Sequence, residues 1–327
     1  MSDWGPETTT DDILDGVDLS DRRFAITGAS SGLGEETARA LASKGATVSM
    51  LARNPEKTEA AASRIRSKVP DARLETYDVD LASLASIRAF AERYLAEHDA
   101  IDVLINNAGV MCCPLARTAD GFEMQFGTNH LGHFLLTGRL MPAILRGRSP
   151  RIVNLSSGGH AIADVDLDDP SYESGDYDPW ESYGRSKTAN ALFTTALARR
   201  LRGRVLAYAV HPGAIMTELG RHLTEETLQQ MMERTRARQD SSGGSGEGSP
   251  GGGMRFKPVE AGAATQVWAA TAPELAEHSG AYLADCRLGV EGASPTTNGY
   301  VGWALDPATA EKLWELSEKL VGERFTS

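Results

Sequence analysis

Between residues 23 and 211 short apolar runs alternate strictly with helix-length amphipathic runs, and this alternation constrains the chain more than any other feature. Residues 23–27 read as a strand that runs straight into Gly28-Ala29-Ser30-Ser31-Gly32-Leu33-Gly34. A helix follows over 35–43, with Ala38, Leu41 and Ala42 on one face; Gly45 closes it, and 46–52 read as the next strand. The pattern continues as helix 56–68, strand 73–79, helix 83–97 and strand 103–106. Helix 122–145, strand 151–155, helix 183–201 and strand 205–211 complete it. Strands joined by crossover helices pair in parallel, and a parallel sheet needs both faces covered. The predicted class is α/β: a doubly wound parallel sheet.

With 327 residues, one large domain is the simplest organisation. Residues 1–20 carry Asp3, Glu7, Asp11, Asp12, Asp15 and Asp18 and read as a polar N-terminal tail; 21–327 read as a single domain. Two stretches interrupt the alternation. Residues 162–180, rich in Asp, Pro, Ser and Tyr, read as an excursion before the helix at 183. Residues 241–253 are almost all Gly and Ser and are expected to be mobile, within a flexible loop insertion covering about 214–258. A helix over 259–270 and a closing helix over 307–321 follow, the latter burying Leu313, Trp314, Leu316 and Leu320.

Charge narrows the partners. Lys and Arg total 33 against 45 Asp and Glu, a formal net charge of −12, which disfavours nucleic acid. No run approaches the roughly 18–20 apolar residues of a membrane-spanning helix, and the acidic start matches no targeting peptide. Three cysteines make no disulfide framework. A cytoplasmic chain without a membrane anchor is the expectation.

The spacing Gly28, Gly32, Gly34 between a strand and a helix suits a phosphate cradle. Glycine supplies the positive φ angles of a tight turn and lets a pyrophosphate approach the backbone, while the helix N-terminus offers free N–H groups. Ser30, Ser31 and Leu33 belong to the same candidate dinucleotide-binding turn. The end of the second strand selects the coenzyme: Leu51-Ala52-Arg53-Asn54 holds no acid for a ribose hydroxyl, whereas Arg53 suits a 2′-phosphate. NADP(H) is therefore expected over NAD(H).

Together with further motifs, the chain resembles the short-chain dehydrogenase/reductase family along nearly its whole length, most of all the branch with retinol dehydrogenases and WW-domain oxidoreductases. The carriers are Thr27-Gly28-x-x-x-Gly32-x-Gly34, Asp80-Leu81, Asn106-Asn107-Ala108-Gly109, Asn129-His130-Leu131-Gly132-His133-Phe134, the serine pair Ser156-Ser157, Tyr183-Gly184-Arg185-Ser186-Lys187, and His211-Pro212-Gly213 before Thr217. The resemblance implies a Rossmann-type sheet and a catalytic tetrad of Ser157, Tyr183, Lys187 and Asn129, with Ser156 second for the serine role. It implies coenzyme contacts from Asp80 and Leu81 on the adenine side. Asn107, Ala108, Gly109, Tyr183, Lys187, Pro212, Gly213 and Thr217 would supply others. It also implies homodimer pairing through helices 122–145 and 183–201.

The chemistry fits the residue types. A free tyrosine, with a pKa near ~10, is a poor base at neutral pH; Lys187 lies one helical turn from Tyr183, and a nearby cation favours phenolate. Ser157 at a strand end suits holding a substrate oxygen against Tyr183, and Asn129 by family analogy positions a water linking Lys187 to solvent. The function expected is alcohol/carbonyl interconversion by hydride transfer with NADP(H). A bulky hydrophobic substrate (steroid, retinoid, polyketide or long-chain carbonyl) is suggested by Met216, Leu219, Leu223, Met231, Met232, Met254 and Phe256 in the loop. The alternatives are C=C reduction on the same fold and a non-enzymatic NADP(H)-sensing protein, although the latter has no need of the tetrad. His130 and His133 lack companions for a metal site and read as packing residues, so no metal is expected. Cys112 and Cys113 fall in a loop that borders the expected substrate side, and the acids at 164, 166, 168 and 169 lack the glycine and glutamate of a calcium loop.

Overall fold

The computed structural model describes residues 4–223, Gln229 and residues 256–325. Its first half runs α1 (Thr10–Ile13), β1 (Arg23–Thr27), α2 (Gly32–Ser43), β2 (Thr47–Ala52), α3 (Pro55–Lys68), β3 (Arg73–Asp78), α4 (Leu84–Glu97) and β4 (Val103–Asn106). Then come α5 (Met124–Phe126), α6 (Gly132–Ile144), β5 (Arg151–Leu155), α7 (Pro179–Arg200) and β6 (Leu206–His211). After the loop insertion follow α8 (Val259–Thr271), β7 (Tyr282–Ala284), β8 (Arg287–Leu288), a small pair of β9 (Val290–Glu291) with β10 (Gly299–Tyr300), and α9 (Pro307–Val321).

The side-chain alternation of the strands sorts the core into two halves. Phe24, Ile26, Val103, Ile105 and Val153 point to one face, where α2, α3 and α8 cover them with Leu41, Ile65 and Trp268. Ala25, Leu104 and Ile152 point to the other, under Phe90 of α4, Phe134 of α6, Phe193 of α7 and Trp314 of α9. The strand order is β3-β2-β1-β4-β5-β6-β7-β8, with all neighbours parallel except β7 and β8. This is the doubly wound, Rossmann-type sheet. β1 lies between β2 and β4, so successive crossovers leave it in opposite directions and open a crevice above the carboxyl ends of the strands.

Several boundaries differ from the sequence reading, each for a physical reason. The predicted helix 122–145 is helical from Met124 to Ile144, but its hydrogen-bond register changes at a π-helical turn, Gly127–Leu131, between α5 and α6. Gly132 packs so closely on Leu81 that a β-carbon there would approach the Leu81 carbonyl oxygen to 2.5 Å. Helix α7 begins at Pro179, not 183, with the Asp178 side chain accepting from the Glu181 N–H at 2.8 Å, so Tyr183 lies inside the helix. At the N-terminus, Thr9 and Asp12 form a reciprocal cap on α1, and Ile13, Leu14 and Leu19 enter the core. Much of the segment read as a polar tail thus packs onto the domain, with Arg39 bridging Asp11 and Glu36. Strands β7 and β8 extend the sheet through a two-residue turn in which Asp285 and Cys286 both have positive φ. Of the insertion, residues 241–253, Met231, Met232 and Met254 lie outside the described residues.

Candidate active site

Three loops at the carboxyl ends of β1, β4 and β6 build the coenzyme side. Gly34 is buried where a β-carbon would overlap the Gly28 carbonyl oxygen, so the turn closes only with glycine there. Gly32 has φ +55°, and a β-carbon on it would come 3.2 Å from Cγ2 of Thr217, so the β6 loop meets the glycine turn at that point. Ser30, Ser31 and Leu33 lie in the same turn, partly buried, and α2 starts at Gly32 with its N–H groups facing the crevice end of the strand. Thr27 locks β1 to β4: its Oγ1 accepts the N–H groups of Asn107 and Ala108, both at 2.9 Å, while Asn107 Nδ2 donates to the Thr27 carbonyl at 2.7 Å. Such a tight cradle with a free helix terminus fits the pyrophosphate of a nicotinamide dinucleotide.

Around it the remaining predicted residues fall as follows. Arg53 is exposed just past β2 and makes no ion pair among the described residues, whereas its neighbour Asn54 caps α3. Asp80 turns one carboxylate oxygen onto the Ala82 N–H at 3.0 Å, and Leu81 is buried. Pro212 and Gly213 are partly buried; Thr217 accepts from the Leu219 N–H at 3.4 Å and caps the following turn. Lys257 pairs with Asp285 beside Gly213, and its N–H donates to the Ala214 carbonyl at 2.8 Å, so the two ends of the insertion meet.

The catalytic candidates converge from β5, α7 and the π-turn. Ser157 follows β5; its hydroxyl faces the Tyr183 phenol beside Gly159, favouring the ionised phenol, and accepts the Gly159 N–H at 3.1 Å. Lys187 Nζ lies 5.6 Å from the Tyr183 ring centroid and donates to the Leu155 carbonyl at 3.1 Å. Gly109 lies alongside Asn129 and Lys187. Asn129 is fully buried; its Oδ1 accepts from the Val110 N–H, and its Nδ2 donates to the Val110 carbonyl and to Ser186 Oγ, at 2.8, 2.9 and 2.9 Å. Ser156 instead faces inward, donating to the Lys187 carbonyl at 2.9 Å, which leaves Ser157 as the serine on the crevice side.

Burial sets the electrostatics. It pushes the Tyr183 phenol above its ordinary range, opposed by the Ser157 hydrogen bond, and it lowers the Lys187 ammonium to about 8. At neutral pH the pair is therefore a phenol beside a mostly protonated amine. Cys112 and Trp180 form an apolar wall with Tyr183, backed by Met111, Ile162 and Leu223. Cys112, Cys113 and Cys286 are buried and form no disulfide, and burial raises the Cys113 thiol.

Sequence reasoning passed over two contributors. By spacing alone both His130 and His133 are packing residues. His130 does pack, against Phe126, Phe134 and Phe193 with Nε2 on Ser317, but His133 joins Thr27 to Asn129. The signal was its position four residues after Asn129, on the same helix face. Ser186, between Tyr183 and Lys187, receives the Asn129 amide and donates to the Tyr183 carbonyl at 2.8 Å. Among the described residues no cluster of His, Cys, Asp and Glu could hold a metal ion, and no helix is long and apolar enough to cross a membrane.

The chain belongs to the short-chain dehydrogenase/reductase family, a family of nicotinamide-coenzyme oxidoreductases. The sequence profile described as short chain dehydrogenase matches residues 22–166. Retinol dehydrogenase 12 of Mus musculus is 41% identical over 308 residues, 94% of this chain and 88% of the relative. Retinol dehydrogenase 13 of Homo sapiens is 40% identical over 91% of this chain and 83% of its own length. A solved structure of an uncharacterized protein from Mycobacterium paratuberculosis superposes with a TM-score of 0.70 at 34% identity, covering 94% of this chain and 96% of that one.

Proposed function

We propose that this protein interconverts an alcohol and its carbonyl with NADP(H), on a bulky apolar substrate. The observation that carries the reading is the convergence of Ser157, just after β5, with Tyr183 and Lys187, one turn apart on α7, at the end of the sheet that also holds the glycine turn. The coenzyme, when bound, supplies or accepts the hydride. In the reductive direction Ser157 holds the carbonyl oxygen, and the Tyr183 phenol gives its proton to that oxygen as charge develops. The Lys187 ammonium stabilises the phenolate left behind, offsetting the burial that keeps Tyr183 protonated. In the oxidative direction the same proton returns to Tyr183. Asn129 braces the site, since both hydrogens of its amide are committed to Val110 and Ser186.

Arg53 supports NADP(H): it is an exposed cation just past β2 that makes no ion pair among the described residues, and such a guanidinium can grip a phosphate in bidentate fashion. A related short chain dehydrogenase from Shigella flexneri, 26% identical with a TM-score of 0.52, is described as complexed with NADP. The apolar wall of Cys112, Trp180 and Tyr183, together with exposed Met216, Phe256 and Leu115, supports a lipophilic substrate, as do relatives named retinol dehydrogenases. The test is a panel of ketones, aldehydes, alcohols and enones followed through the nicotinamide absorbance with both coenzymes. Alcohols formed from lipophilic carbonyls are expected. Saturated ketones from enones would replace this reading with C=C reduction, and a preference for small hydrophilic sugars would remove the substrate class.

A further inference from the structure

Behind the crevice one imidazole spans the gap between the coenzyme turn and the π-turn. His133 is buried, with Nδ1 2.8 Å from the Asn129 carbonyl oxygen and Nε2 2.9 Å from Thr27 Oγ1. A carbonyl oxygen only accepts, so Nδ1 carries the hydrogen. Burial, the largest influence, lowers the ring to about 4, opposed by the Asn129 bond, and Lys187 lowers it further, so the ring is neutral and Nε2 is bare. The Thr27 hydroxyl must then donate to Nε2, which leaves its lone pairs for the Asn107 and Ala108 N–H groups, both at 2.9 Å. On the far side the Asn129 amide donates to Ser186 Oγ, whose own hydrogen goes to the Tyr183 carbonyl. The other acceptor within reach of the Thr27 hydroxyl, the Ile105 carbonyl, is farther away at 3.5 Å, so Nε2 is the nearer place for its hydrogen.

We propose that His133, as a fixed Nδ1–H tautomer, is a positioning residue that registers the coenzyme turn at Thr27 against the helix bearing Tyr183. This rests on the coenzyme and tyrosine roles proposed above. His130, three residues earlier on the same helical stretch, is the internal comparison: an imidazole of the same size that bonds Ser317 and lies among aromatic rings. If packing alone were needed at 133, an aromatic hydrocarbon would serve.

The test has two arms. In the protein without coenzyme, 15N resonances of the imidazoles should show His133 with a protonated Nδ1 and a bare Nε2, unchanged between about pH 5 and pH 9. A protonated Nε2, or titration near the ordinary value of about 6.5, overturns the proposal. This arm needs neither turnover nor a variant that folds. In the second arm, fluorescence titration gives the affinity for NADPH. His133→Phe should weaken it by up to about tenfold, the worth of one buried hydrogen bond; Thr27→Val, which also removes the acceptor of the Asn107 and Ala108 N–H groups, should weaken it more, and the double variant should be no weaker than Thr27→Val alone. His133→Phe should also lower kcat, and His133→Asn, which keeps a donor toward Asn129, should recover kcat while leaving coenzyme affinity weak; His130→Phe should leave both unchanged. Additive losses at 27 and 133, or equal losses from His130→Phe, refute the positioning role. If the enzyme proved to reduce C=C bonds instead, the tautomer and the coupled affinities would still stand or fall on their own.

Discussion

Replacing Lys187 by Met should destroy activity and yet make the protein more stable. The side chain is 3% exposed and its ammonium is held at about 8 instead of 10.5 by burial. That gap corresponds to about 3 kcal/mol of stability lost at neutral pH, an upper figure for a group whose surroundings relax. The sign follows from proton counting. Below about pH 8 both folded and unfolded chains hold the proton and the full cost is present. Between about 8 and 10.5 the unfolded chain keeps a proton that the folded one has released, so wild-type stability rises with pH across that window. Methionine has no such dependence and fills a similar volume. It also leaves no orphan, because the Leu155 carbonyl still accepts Asn190 Nδ2 at 2.9 Å. Urea unfolding of both proteins at a series of pH values from 7 to 10 reads this directly. The variant should lead by up to about 3 kcal/mol at pH 7 and lose that lead as the pH climbs. Reductive turnover of the wild type should fall through the same midpoint as Lys187 loses its charge. A stability difference that stays constant with pH would refute the claim that a buried ammonium is maintained at a stability cost for function.

Arg53→Ala should weaken NADPH far more than NADH, as measured by titration of each; equal losses would show that Arg53 does not meet the 2′-phosphate. Leu14→Ala should destabilise the whole domain by about 2–5 kcal/mol in chemical denaturation, the cost of a core cavity. An effect near zero would mean that the N-terminal segment is not part of the cooperative unit despite the burial of Leu14.

Much of this was legible in the chain. Glycine spacing and the 2.0 and 3.6 periodicities fix local backbone choices, so β1, β4 and β5 fall where the apolar runs predict. The order of the motifs carried Ser157, Tyr183 and Lys187 to one place. What escaped depends on contacts between distant segments. The π-turn at Asn129 accompanies the close packing of Gly132 on Leu81, and nothing local in residues 122–145 marks it. Strands of three and two residues, such as β7 and β8, are too short for a pattern. In the first twenty residues the acids mask Leu14, whereas Asp178-Pro179 is a local helix start, a capping acid followed by an N1 proline. Helices α6 and α7, the pairing surface implied by the resemblance, already carry the chain's own C-terminal segment. Trp314 packs 5.0 Å from Phe134 and Phe325 lies against Gly138, with Glu323 bridging Arg88 and Arg139. No periodicity in the sequence foretells where that segment docks.

The central claim is that the Tyr183 phenol moves the proton during hydride transfer, and Tyr183→Phe isolates it, because the ring keeps its place in the wall with Cys112 and Trp180 while only the hydroxyl is lost. With a lipophilic ketone and saturating NADPH, kcat should drop by about 10²–10⁴-fold, with coenzyme affinity and thermal stability essentially retained. Turnover close to wild type, with the coenzyme bound normally, would contradict the account.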